Sequence, residues 1–304
     1  MYAQNTIGAQ ISGQGLDLAA ARAGLGGARL EQNAGLGLFL AAVAGPGIAV
    51  GGDYIPASTT PQLLATDNLI DATGADAGAA MAASTLYYIY LSSAAATFSP
   101  SRLRGSLTAP TRVGGIYALG AAGNAANWLL VGWARTTAGI GFQDDPTYRG
   151  VVSYYNRQRR SLFVCPQYVD DDAQTTYGLT SAVWALIDAA AQVSCIYNGE
   201  DAIELSAHVT KSAGAIAAQF GIGRTVTDPD VAAAFPSALT NATITAALQY
   251  GGTADPRLGT TPQFVTFAFL GFTTAVLVTL VADQARNGAA ADPPGTWLAG
   301  SVAC

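Results

Sequence analysis

Hydrophobic and polar positions alternate in short runs along most of this chain, and the runs stop at Gly, Pro, Asn and Asp. That is a strand-and-turn pattern. "LGLFLAAVAGPGIAVGGDYIPAS" breaks at Gly-Pro-Gly and Gly-Gly, and "TLYYIYLSS", "NWLLVGWARTT" and "GVVSYYNRQRRSLFV" are rich in aromatic and β-branched residues. In "RLRGSLTA" the alternation predicts Leu103 and Leu107 on one face, with Arg102, Arg104 and Ser106 on the other. After the polar, acidic "PQYVDDDAQTTYGLT", taken as a linker, strand-like runs resume. They are "AQVSCIYNG", "AIELSAHVTKS", "AIAAQFGIG", "NATITAALQYG", "QFVTFAFLGF", "AVLVTLVAD" and "TWLAGSVA". The expected fold is all-β: a short N-terminal arm (1–27), a first β domain (28–165), and a jelly-roll-like oligomerisation or tip domain (166–304).

One stretch stands apart. "FVTFAFLGFTTAVLVTLVA", Phe264 to Ala282, carries no charge and is long enough to cross a bilayer as a helix. Phe, Val and Thr dominate it and no Lys/Arg cluster flanks it, so the expectation is a β-hairpin and no membrane insertion. The expected strands are Gln263 to Leu270 and Ala275 to Ala282, with the turn at "GFTT". Alternation places Val265, Phe267 and Phe269 on one face and Phe264, Ala268 and Leu270 on the other, so both faces are dry. In a small sandwich a second dry face implies a second subunit, and Phe264, Phe267, Phe269, Val276 and Val278 are the expected oligomer interface.

Composition narrows the function classes. The 304 residues are only 11% charged, with a net charge of −6, which leaves no broad basic face for nucleic acid. Cys165, Cys195 and Cys304 are scattered, with no CxxC, which argues against a disulfide framework and a zinc site. The first residues have no basic and apolar leader pattern, so synthesis in the cytoplasm is expected.

Candidate chemistry is sparse. The single histidine, His208, shares a strand face with Glu204 and Ser206, opposite Ile203, Leu205, Ala207 and Val209. Residues alternating along one strand lie about 7 Å apart, a poor geometry for a nucleophilic triad. The acids Asp144-Asp145, Asp170 to Asp172, Asp228 and Asp230 form no calcium-loop pattern. No catalytic residue, metal or cofactor is therefore expected. The basic cluster "NRQRR" is expected to pair with acids of this or a neighbouring chain. Aromatic residues crowd the first domain, and sugars stack on aromatic platforms flanked by polar groups. Trp128, Trp133, Glu204, Ser206 and His208 are the candidate glycan-binding residues, with core or interface packing as the alternative for the aromatics and a solvated or subunit-facing polar face as the alternative for the row Glu204, Ser206 and His208.

The segments "STLYYIYLSS", "LRGSLTAPT", "NWLLVGWARTTAGIGFQDD" and "VVSYYNRQRRSLF" resemble a module of fibre, spike and appendage proteins of tailed bacteriophages and gene transfer agents. "ITAALQYGG", "VLVTLVA" and "WLAGSVA" are similar to the jelly-roll tips that close such fibres, commonly as trimers. The resemblance implies a structural virion protein, a head spike, head fibre or tail fibre, made in the host bacterial cytoplasm. It would attach to capsid or other virion proteins by its N-terminal part and bind host surface polysaccharide. The alternatives are a capsid decoration protein without a receptor role, and a glycan depolymerase.

Overall fold

The computed structural model describes residues 28–33, 37–42, 47–50, 53–56, 62–92, 102–113, 116–120, 125–165, 176–197, 203–210, 218–235, 241–248, 262–273, 278–281 and 297–303. The expected arm at 1–27, the acids Asp170 to Asp172, and Val276 lie outside the described residues. The described chain is all-β, and its strands form three large sheets and four two-stranded ribbons. No helix among the described residues is long and apolar enough to cross a membrane.

The first sheet runs in the order Leu103–Ser106, Leu86–Ser92, Ala125–Arg135, Ile116–Leu119, Pro110–Val113, with Val151–Ser153 added to the far end of Ala125–Arg135. Its two edge strands are joined by Leu107, Thr108 and Ala109 alone. Five strands laid flat put their outer members ~19 Å apart, whereas that connection reaches at most ~15 Å. The sheet must curl, and Tyr90 closes the curl by donating its hydroxyl to Thr108 O at 2.7 Å. Burial pushes the Tyr90 phenol well above its ordinary range, with Tyr88 adding to the shift, so the hydroxyl keeps its proton.

Both faces of this sheet are dry. Tyr87, Ile89, Leu91, Leu129 and Val131 meet the N-terminal hairpin Ala28–Gln32/Leu38–Ala42, whose Leu30, Leu38 and Leu40 complete one core. Tyr88, Tyr90, Leu130 and Trp133 enter a second core shared with the C-terminal sheets. Strict alternation would place Trp133 with Leu129 and Val131. An irregularity in the pairing between Leu130 and Gly132 turns it to the other side. Gly132 is needed there, since a Cβ would stand 2.3 Å from Val152 O.

The "RLRGSLTA" expectation is corrected. The strand stops at Ser106; Leu103 is buried, but Leu107 is 62% exposed, while Arg102 and Ser106 are buried. Ser106 is pulled inward because its hydroxyl donates to Ile70 O and accepts from Thr108 N.

Two further sheets form a sandwich. One runs Asp144–Asp145, Tyr148–Arg149, Gln192–Tyr197, Gln263–Thr273, Ala218–Gly223, Val231–Phe235, with Ala185–Leu186 against Gln263–Thr273. The other runs Arg159–Val164, Trp297–Ala303, Ile203–Thr210, Asn241–Leu248. Between them lie Val193, Cys195, Phe220, Ile222, Val265, Phe267 and Phe269 from the first, and Leu162, Leu205, Ala207, Val209, Leu298 and Val302 from the second. The strand Arg159–Val164, close in sequence to the curled sheet, is thus a member of the C-terminal sandwich.

The expected hairpin at 264–282 is also corrected. Gln263–Thr273 is one uninterrupted strand through "GFT", and Val278–Val281 pairs with Thr176–Leu179 instead. The long strand is held on both edges, by Gln192–Tyr197 and Ala185–Leu186 on one side and Ala218–Gly223 on the other, so no turn is needed. Phe267 and Phe269 are wholly buried in the chain's own core, which leaves no surface on them for another subunit.

The other face of this strand is covered within the chain as well. Tyr148 lies 5.0 Å from the Phe264 ring and Arg135 stands over it at 3.9 Å. Further along, the loop 224–230 folds back so that Pro229 sits where Cβ atoms on Gly221 and Gly223 would be, and the Leu270 side chain borders Gly223. Asp230 locks that loop by accepting from Arg224 N and Nε. Asp228 joins it through its own N–H, which Thr225 Oγ1 accepts.

The ribbon Asn68–Ile70/Asp76–Ala80 gives an acid-sensitive reporter. Hydrogen bonds from the Thr73 side chain and backbone hold the Asp71 carboxyl below its ordinary 3.8. Asn68 and the Gly78 N–H do the same for Asp76. A folded value below the unfolded one stabilises the ribbon above the unfolded value, and the contribution is lost as pH falls through the folded value. Amide exchange at Gly74 and Gly78 is therefore expected to accelerate below pH 3.8 before the rest of the molecule opens. Uniform acceleration across all sheets contradicts this.

Candidate functional site

The outer face of the four-stranded sheet carries three of the five candidate glycan residues; it is exposed around Glu204 and closed at the other end, where His208 and Thr210 are buried. Along Ile203–Thr210, Ile203, Leu205, Ala207 and Val209 are buried in the core, and Glu204, Ser206 and His208 take the opposite face, as alternation predicts. Strand pairing then sets neighbours beside each. Glu204 is opposite Ser301, which is opposite Ser161; Ser206 is opposite Ala299, which is opposite Phe163; His208 is opposite Trp297.

Charge on this face is paired. Arg159 reaches across to Glu204 at 3.1 Å and donates to Ser301 Oγ at 2.7 Å. At the other end the His208 ring stacks on Trp297, with centroids 5.4 Å apart and planes 18° from parallel. Thr210 Oγ1 lies 3.4 Å from His208 Nε2. Ser206, His208 and Glu204 stand in a row along one strand and do not converge as a triad requires.

Trp128 and Trp133 lie on the curled sheet, apart from this row. Trp133 is 1% exposed, edge-on to Tyr154 at 5.8 Å, and its Nε1–H has no hydrogen-bond partner among the described residues. A ring with no open face offers nothing for a sugar to stack on, so Trp133 is corrected from platform to core. Trp128 packs half-buried against the same core.

A second polar cluster surrounds Asp144, whose side chain is 2% exposed. Arg149 approaches its Oδ2 at 3.5 Å, Arg160 pairs with the same oxygen, and Arg160 continues to Glu31 at 3.4 Å. Burial lifts the Asp144 carboxyl above its ordinary range, and Arg160 and Arg149 pull against that rise. Arg149 also covers the edge of the four-stranded sheet. Its Nε–H donates to Ser161 O at 3.0 Å, beside the bond from Phe163 N to Pro146 O. Asp145, by contrast, serves a turn, with Oδ1 accepting from Thr147 and Tyr148 N–H groups. The adjacent carboxylates do not converge on a common space. Among the described residues, no three His, Cys, Asp or Glu side chains are grouped to hold a metal.

Ser301 and Trp297 share this face and are not among the expected site residues, and Arg159 is expected only as a charge that finds an acid. The signal was present in "WLAGSVA", where Trp297, Ala299 and Ser301 alternate with Leu298, Gly300 and Val302. Its partner strands were not legible.

No family model matches the chain, and no curated protein matches it. Among solved structures it is similar to the infectious bursal disease virus VP2 subviral particle, at 13% identity over 71% of this chain and 51% of that one, with a TM-score of 0.24. It is also similar to the structure of the infectious bursal disease virus Gx strain, at 13% identity over 72% of this chain and 52% of that one, TM-score 0.24. The Gt strain gives 10% identity over 72% and 53%, again with a TM-score of 0.24. The chain spans about half the length of these proteins, and at this level of superposition the likeness places no individual residue.

Proposed function

We propose that the chain is a non-catalytic structural subunit of a virus-like particle. The observation that carries this reading is the division of its surface. Among the described residues the apolar faces of the long strands are covered within the chain, while one part of a sheet face stays exposed, lined by small residues and a paired Arg159 and Glu204. Such a face suits contact with another protein better than chemistry, because its one imidazole is occupied by Trp297. The sequence resemblance to phage and gene-transfer-agent appendages supplies the virion setting. Attachment through residues 1–27 and threefold association rest on that resemblance alone.

Electron microscopy of particles made with and without this gene product tests the reading. The expected result is a missing density in its absence. Particles that never contain the protein overturn it.

Host-polysaccharide adhesion is a second reading, favoured by one observation. Trp297, half-buried, shares its face with Ser206, Glu204 and Arg159, an aromatic with polar neighbours. Retention on a host-glycan array that is lost in Trp297→Ala supports adhesion, and an array without hits leaves a particle component with no receptor role.

A further inference from the structure

We propose that the exposed part of this sheet face, around Arg159, Phe163 and Glu204, is a self-association surface, and that its occupant is the same patch of a second copy of this chain. The inference rests on the structural-subunit reading and names the partner of the site described above.

A surface that pairs with itself about a two-fold axis must carry both halves of each interaction. This one does. Arg159, on the edge strand, and Glu204, two strands inward, have opposite charge and side chains 44% and 62% exposed. When two such faces meet about an axis lying midway between the two residues, Arg159 stands over Glu204 of the partner subunit and the reverse holds at the symmetric point. Each charge then gains a second counter-charge and loses none, since the pair within each chain persists.

The next row supplies the apolar contact. Phe163, at 39%, is an exposed aromatic on this face, beside Ala299 and Ser206. Aromatic residues at the centre of an interface with small neighbours are the usual anchors of protein association. Ser161, Ser206, Ala299 and Ser301 project little, so two backbones can approach to the ordinary stacking distance of sheets, about 10 Å. Nucleic acid is a poorer occupant, since the chain carries a net charge of −6 and the patch itself is neutral.

The test uses sedimentation velocity on the full chain at rising protein concentration, with far-UV circular dichroism to verify folding. Wild type is expected to associate reversibly. Arg159→Glu makes the patch doubly acidic and Glu204→Arg makes it doubly basic, and each alone is expected to weaken association by roughly tenfold or more. An equimolar mixture of the two variants is expected to restore association, because the acidic patch of one meets the basic patch of the other. A pair that acts only within one chain gives no such rescue. Ser206→Arg, which adds bulk at the centre, is expected to abolish association.

Three results overturn the proposal. One is a wild type that stays monomeric at high micromolar concentration, including one that binds oligosaccharide through this face. Another is single variants that associate like wild type, and the third is a mixture that shows no recovery. If particles contain the protein and the variants still assemble normally, this inference fails while the structural-subunit reading stands.

Discussion

Replacing Gly300 with alanine is expected to lower the thermal midpoint by roughly 6–12 °C. A Cβ at this position would stand 2.0 Å from Glu204 O and 2.7 Å from Leu205 Cδ2. The first contact is with backbone, which cannot rotate away, so the strands Trp297–Ala303 and Ile203–Thr210 must separate locally. Overpacking of this kind costs about 3 kcal/mol, and it falls on the central pairing of a four-stranded sheet. Gly139→Ala is the control, because its Cβ would meet only Thr137 Oγ1 at 3.9 Å. Equal melting of the two variants would show that the close approach at Gly300 relaxes freely. The same substitution should also weaken the self-association proposed above, since Glu204 and Ser301 lie on the displaced pair.

Asp144→Ala is the second large effect. It leaves Arg149 and Arg160 facing one another with their shared carboxylate gone, in a place where Arg149 is 10% exposed. Removing one member of a buried ion pair costs about 3–5 kcal/mol. The low end applies here, because Arg160 remains 23% exposed and retains Glu31. Burial raises the Asp144 carboxyl, so this group's contribution is fully present below its unfolded value and declines as pH rises through its folded value. Asp144→Asn, which preserves volume and a carbonyl acceptor, is expected to lose less than the alanine variant in urea unfolding. If the two lose the same amount, the acceptor contributes nothing. Loss of the cluster should also loosen the N-terminal hairpin, because Glu31 belongs to it and the Asp144 N–H donates to Gln32 Oε1 at 2.9 Å.

The fold class was legible because alternation is local. Ile203 to Thr210 shows it well: four core residues and the polar row separate at period two, and the structure keeps both. What was not legible is set by partners distant in sequence. "FVTFAFLGF" reads as one arm of a hairpin until its edges are known, and strands on both sides turn it into a single span. Trp133 reads as a surface aromatic because nothing local shows that its strand is covered on both faces, and the irregularity beside Gly132 only decides which of the two cores it enters. "NRQRR" was expected to find acids, and it does so at Glu204, Asp144 and Glu31. Arg157 instead lies over the Trp133 and Tyr154 rings, a use that charge counting cannot anticipate. Arg159 joined this face through pairing with Ala303, 144 positions later, and Trp297 through pairing with His208, 89 positions earlier, both beyond the reach of any local pattern.

The position of the strand Trp297–Ala303 has a consequence for biosynthesis. It lies between Arg159–Val164 and Ile203–Thr210, so it fills a gap bordered by strands made much earlier. Until residue 303 has left the ribosome, each of those two strands presents an unpaired backbone edge, and the apolar side of Ile203–Thr210 lacks the cover of Leu298 and Val302. Nascent chains are most prone to join one another during that interval. A polysome carrying this message holds many such half-finished sheets side by side, and slow translation of the codons for Trp297–Ala303 lengthens their exposure.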